Sequence, residues 1–219
     1  MQLFYAQLKA TQRKYRDEFP QGLGLRTHRS LSWLKRAEQE LEDDDARFIF
    51  LWIAFNAAYA HEIDTRNNFS ERRLFLKFLK RLIRSDRNNL LYEMIWTEFS
   101  GSIRLLIENR YVFQPFWDYQ NGRLSEAEWK RRFEHSQITA KKALGEQQTL
   151  RVLAVVFDRL YVLRNQMIHG GATWNSGVNR DQVRDSANIM GRLIPAIIYI
   201  MMDDPSQDWG VPSYPVVED

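Results

Sequence analysis

The chain is predicted to be all-α, a helical bundle with additional peripheral helices, on three observations. Apolar residues recur three and four positions apart through most of its length, the spacing of one helix face. No segment sustains the alternation of apolar and polar residues that a half-buried strand requires. The ten Gly and six Pro are few for 219 residues, and they cluster between the helical patterns as short connections do.

In order along the chain, residues 3–19 read as a first helix and 20–28, PQGLGLRTH, as the loop after it. Residues 30–42 read as a second helix, with Leu31, Leu34, Ala37 and Leu41 on one stripe and charged side chains opposite. Asp43, Asp44 and Asp45 stand where acids favour a helix N-terminus. The following 46–60, ARFIFLWIAFNAAYA, is apolar almost all round, the pattern of a buried central helix. Ser70 is placed to cap a helix running to 85, and a further helix covers 90–108. Ser125 and Glu128 have the spacing of a capping box and open a polar helix to 144. Helices at 147–169 and 181–202 complete the interior, the latter with Pro195 as a point for a kink. Residues 203–219 have no periodicity and are expected to form an irregular or draped tail. A single domain over 1–219, with its core in about 27–202, suits this length.

Composition narrows the class. Thirteen Phe, nine Tyr and seven Trp within 44% hydrophobic residues allow a substantial core and exclude a disordered chain. Zero Cys excludes disulfides, thiolate metal sites and a thiol nucleophile, and fits a reducing cytoplasm. The N-terminus lacks the basic-then-apolar order of a signal peptide, and the apolar run 193–202 is too short to span a bilayer. A cytoplasmic protein without a membrane partner is expected. The net charge of +3 permits a nucleic-acid partner without demanding one. His28, His61 and His135 show no metal-ligand spacing, and there is no Gly-rich phosphate loop or His-Glu-x-x-His pattern, so no metal and no cofactor are expected.

The segment 151–171, RVLAVVFDRLYVLRNQMIHGG, holds the most chemistry. At 100° per residue, Leu153, Val156, Leu160, Leu163 and Met167 fall on one side, and Arg151, Asp158, Tyr161, Asn165 and His169 on the other. Arg164 lies outside that polar stripe, with Leu160, Phe157, Met167 and Ile168 around it. A charge there is costly unless an acid or a phosphate reaches it, and the planar guanidinium fork suits phosphate. His169 closes the helix ahead of Gly170 and Gly171, where glycine commonly follows a helix end. Imidazole is the side chain suited to general acid or base work near neutrality. Asn165, four residues before His169, can orient the ring. An Arg that caps its own bundle and a His at a helix end are also ordinary structural features.

Four further features each admit two readings, and Tyr161 one. Asn56, in the apolar central helix, is either an amide bonded to backbone or a residue orienting Arg164 and His169. Asp158 is either an internal salt-bridge member or a partner for an arginine of a second chain. Tyr161, on the polar stripe, is expected to contact the substrate. Arg72, Arg73, Lys77, Lys80, Arg81 and Arg84 lie on or beside the polar side of 71–87, which is either a solvated face or a track for RNA phosphates. Trp174 is a loop anchor or a platform for a base.

Arg164, four residues and then His169 at the end of a late apolar helix, in the string LRNQMIHGG, resembles the signature of the HEPN superfamily. LWIAFNAAYA, 51–60, is similar to the buried helix of its Apea-like group, and the likeness extends over 27–202 at the level of fold. The resemblance implies a HEPN-like bundle and a metal-independent endoribonuclease acting on RNA as a homodimer. Such proteins serve as toxins or in phage defence, which implies an antitoxin or defence partner. In that chemistry His169 would be the acid or base, Arg164 would stabilise the phosphate, and Asn165 would belong to the same site. Gly170 and Gly171 follow the histidine here, so the tyrosine found two residues after it in one toxin branch is missing. A non-catalytic HEPN-like module that binds RNA, a nucleotide or a protein is the alternative, because fold alone does not fix function.

Overall fold

The computed structural model of the chain describes residues 3–59, 71–177, 179–212 and 214, excepting the side chains of 71 and 72. Ser70, His61 and the Arg72 side chain lie outside the described residues. Within them the fold is all-α, without a strand: α1 (Tyr5–Tyr15), α2 (Gln21–Ala37), α3 (Asp44–Tyr59), α4 (Glu71–Ser85), α5 (Leu90–Glu93), α6 (Ser100–Glu108), α7 (Gln114–Gln120), α8 (Glu126–Gly145), α9 (Thr149–Ile168) and α10 (Arg180–Asp203). None of these helices is long and apolar enough to cross a membrane. By internal contacts the helices form two compact units, Met1–Leu91 with Ser186–Asp219, and Tyr92–Asp185.

In the first unit α3 is the apolar helix its sequence announces. Asp43 Oδ1 accepts the Ala46 N–H at 2.9 Å, satisfying one free donor of the first turn. Phe48, Leu51, Trp52, Ala54, Phe55 and Ala58 are buried, as are Leu31, Leu34 and Ala37 of α2, the helix packed most closely along it. Phe55, Tyr59, Phe75 and Phe78 continue this core as a ring cluster linking α3 to α4.

Two expectations fail here. Residues 20–28 are not a loop, because α2 begins at Gln21. Pro20 stands just before the first turn, where its missing N–H is no loss. Burial of Arg26 and Thr27 fixes the rest. Leu41, assigned to the core stripe, is 85% exposed because α2 stops at Ala37 and the stripe ends with it.

The described part of the tail, 204–212, is draped and tied down. Trp209 is buried, donates Nε1–H to the Asp204 carbonyl at 3.0 Å and meets the Phe78 ring edge-on. Arg26 donates to the carbonyls of Gly210 and Val211. The Gly210 carbonyl lies 3.1 Å from where a Cβ on Gly22 would stand, so that close approach favours glycine in the first turn of α2. α10 runs unbroken through Pro195.

In the second unit the continuous helix expected over 90–108 is interrupted. α5 passes into a π-helical stretch, Met94–Glu98, and Phe99 leaves helical geometry before α6 starts. A 3-10 turn, Arg110–Val112, precedes α7, and neither has a counterpart in the periodicity. α8 begins as expected, with Ser125 Oγ accepting the Glu128 N–H at 3.2 Å. It packs against α7 and α9, and α6 also packs on α9.

Candidate functional site

α9 separates its faces as helical spacing dictates. Leu153, Val156, Leu160 and Leu163 are buried, Met167 at the end is half-buried, and Arg151, Asp158, Tyr161 and His169 are exposed. The helix ends in a Schellman motif. Gly170 takes the left-handed conformation at φ 72, its N–H faces the Met167 carbonyl at 3.4 Å, and the Gly171 N–H bonds the Gln166 carbonyl at 2.7 Å. That closure fixes His169 at the helix C-cap, with its own N–H on the Asn165 carbonyl at 3.0 Å. The imidazole therefore stands exposed at a helix end that these bonds close.

Arg164 is half-buried. Its Nη1 donates to Asn165 Oδ1 at 2.9 Å, and the guanidinium lies 5.9 Å from the Tyr161 ring centroid. Its Nε is buried without an acceptor, and no carboxylate among the described residues pairs with the group. The amide oxygen of Asn165 is thus engaged by Arg164, not by the imidazole that it was expected to orient. Residues five apart on a helix point about 140° away from each other, so one chain carries the guanidinium and the imidazole on different sides of one helix end.

Asp158 is exposed, and its charge favours the charged form of the adjacent Arg159, an interaction within the chain. Arg159 itself escaped the sequence reading. Only 3% exposed, it stacks 4.5 Å from the Phe113 ring centroid and donates Nη2–H to Ser136 Oγ at 3.0 Å. Burial lowers its pKa to about 10, partly offset by Asp158. A signal was present: Val155, Val156, Val162 and Leu163, three and four residues away, are all apolar.

The other predicted residues divide between the two units. Asn56 on α3 is half-buried, not enclosed. On α4, Arg73, Lys77 and Lys80 are exposed, whereas Arg81 is drawn toward Asp208 of the tail at 3.5 Å. These belong to the first unit, and Arg164, Asn165, His169, Asp158, Tyr161 and Trp174 to the second. Trp174, beyond the Gly pair, is 70% exposed.

No protein-family model matches this chain, no curated protein matches it at a significant level, and no solved structure does so.

Proposed function

We propose that the C-terminal end of α9 is the catalytic end of a HEPN-type endoribonuclease that cleaves RNA without a metal. The observation that carries this reading is the state of Arg164. Its fork is steadied by Asn165, its Nε lacks an acceptor, and no carboxylate neutralises it, while His169 stands exposed one helical turn further on. A phosphate diester supplies both the charge and the acceptors that the guanidinium lacks. A base removes the ribose 2′-OH proton, and the 2′-oxygen attacks the adjacent phosphorus. The bond from phosphorus to the 5′-oxygen breaks, and an acid protonates the leaving oxygen, giving a 2′,3′-cyclic phosphate and a 5′-hydroxyl. His169 provides a proton transfer, worth about 10²–10⁴-fold. Arg164 stabilises charge gathering on the phosphoryl oxygens, and Asn165 is its positioning residue.

The divergence of the two groups on one helix favours a homodimer in which Arg164 of one protomer and His169 of its partner act on one phosphate. A role in toxicity or phage defence, with a partner protein to match, follows from the same resemblance. The test is incubation of the purified chain with RNA in EDTA. The native protein should cleave, and His169→Ala and Arg164→Ala should each lose at least about 100-fold. Mixing the two inactive variants should restore roughly a quarter of native activity, because each mixed dimer regains one complete site. Retention of cleavage by both variants would exclude these residues, and a mixture without activity would exclude the shared site.

A further inference from the structure

We propose that the 3-10 turn Arg110–Val112, held against the last turns of α9, is a subsite for a base and the adjoining phosphate of single-stranded RNA. This rests on the reading of the α9 end as a phosphate site and names the form of strand that the site serves. Gln166 Nε2 donates to the Tyr111 carbonyl at 2.6 Å, and Trp117 Nε1 donates to the same oxygen at 2.8 Å. Asn109 Oδ1 accepts the Tyr111 N–H at 2.8 Å. The main chain of Tyr111 is therefore fixed on both sides, while its side chain contributes to none of these bonds.

The ring it presents is 37% exposed and is backed edge-on by Phe116, with centroids 5.5 Å apart. Arg110 lies 5.0 Å from the Tyr111 ring centroid and donates Nη2–H to the Tyr111 hydroxyl at 3.0 Å. No carboxylate among the described residues pairs with Arg110, which is exposed. An aromatic ring fixed from behind, beside a cation without a counter-ion, is the combination on which a base stacks while its phosphate is neutralised. Bases in an A-form duplex are stacked on one another and do not offer a face to such a ring, so the arrangement selects single strands.

Position around α9 extends the argument. Gln166, which holds Tyr111, is about 60° from His169 around the helix axis, on the side away from Arg164. The turn that bears Arg110 thus lies on the side of α9 next to the imidazole, whereas Arg164 of the same chain is on the far side. A strand whose phosphate is met by the imidazole of one protomer and Arg164 of its partner can then lay an adjoining base on this stacking platform, beside a second cation.

The experiment measures binding of a short fluorescent single-stranded oligouridylate, in EDTA, to the full chain carrying His169→Ala so that it survives. Added Tyr111→Leu should weaken binding roughly 5- to 100-fold, the effect of losing one stacked base. Added Arg110→Gln should weaken it and make the slope of log Kd against log salt shallower by about 0.7. A duplex of the same length should bind Tyr111→Leu and its parent alike. Thermal unfolding should fall by a few degrees at most for Tyr111→Leu, which loses its edge-on contact with Phe116. It should stay nearly unchanged for Arg110→Gln, because the bonds that hold the turn come from main chain, Gln166, Trp117 and Asn109. Unchanged affinity and salt slope in both variants, or an equal loss on duplex, overturns the subsite. If the unmutated chain still cleaves RNA in that case, the nuclease reading survives alone. Loss of stacking in a chain that never cleaves would instead reject the nuclease and keep the subsite as an RNA contact.

Discussion

Arg26 on α2 and Arg164 on α9 are both helical arginines bordered by apolar side chains, and the chain completes one and leaves the other open. Arg26 is fully buried, and its fork donates to the carbonyls of Ala58 at 2.9 Å, Gly210 at 3.2 Å and Val211 at 2.7 Å. Burial lowers its pKa to about 10, and the charge of Arg81 acts in the same direction. Its hydrogen bonds clasp the end of α3 and the tail in one fold unit. Arg164 is half-buried with one side-chain acceptor and a buried Nε that has none. The difference lies in who supplies the acceptors. Where the protein's own carbonyls do so, the guanidinium is structural; at Arg164, which is only half-buried, unlike Arg159, an incoming anion can supply them.

The largest effect should come from breaking the first member of this pair. Arg26→Met leaves the buried Ala58 carbonyl and the partly buried Gly210 and Val211 bonds without a donor. At about 1–3 kcal/mol for a buried group and about 1 kcal/mol for each other bond, the loss should reach about 3 kcal/mol. Thermal unfolding should then fall by roughly 6–12 °C, and limited proteolysis should open the chain within 205–212. Arg164→Met should stay within about 1 kcal/mol of the native chain, because it removes a partly satisfied group. Equal losses in the two variants would erase the distinction between the clasp and the open site.

A smaller effect sharpens the description of the tail. The Asp204 carboxyl is held below its ordinary value of 3.8 first by the hydroxyl of Ser85, with Ser206, the Arg87 cation and the Gln207 N–H adding to it and burial opposing. A depressed value means that the folded chain binds fewer protons there than the unfolded chain. The stabilisation is therefore complete above 3.8 and is lost as the pH falls through the lower folded value. Asp204→Asn should cost about 1 kcal/mol at pH 7 and should reduce the acid dependence of stability below 3.8. Acid titration of unfolding, with and without the substitution, reads this directly. An identical pH profile would show that the Asp204 carboxylate does not help to tie down the tail.

What the sequence made legible follows from the range of the forces involved. The two faces of α9, its closure at Gly170 and the Ser125 cap depend on neighbours within one or two turns, and spacing revealed them. The start of α2 depends instead on Arg26 reaching carbonyls more than thirty and more than one hundred and eighty residues away, which no local window contains. Two glycines and a proline therefore read as a loop. α7 is only seven residues long, too short for periodicity to establish. Arg164 and His169 were legible as a pair in sequence, but the engagement of Asn165 by Arg164 and the Tyr111 turn beside Gln166 required coordinates. Arg159 was missed for a simpler cause. Its apolar neighbours at three and four residues mark it as buried, and it lies outside the polar stripe of α9.

The central claim, that the end of α9 directs a ribose hydroxyl against its own phosphodiester, is tested most directly by the chemistry of the cut ends. RNA treated with the native chain in EDTA should carry 2′,3′-cyclic phosphates, or the phosphates formed by their hydrolysis, and 5′-hydroxyls, with neither appearing for His169→Ala. Fragments ending in 3′-hydroxyls and 5′-phosphates, or the same cyclic ends from His169→Ala, would contradict it.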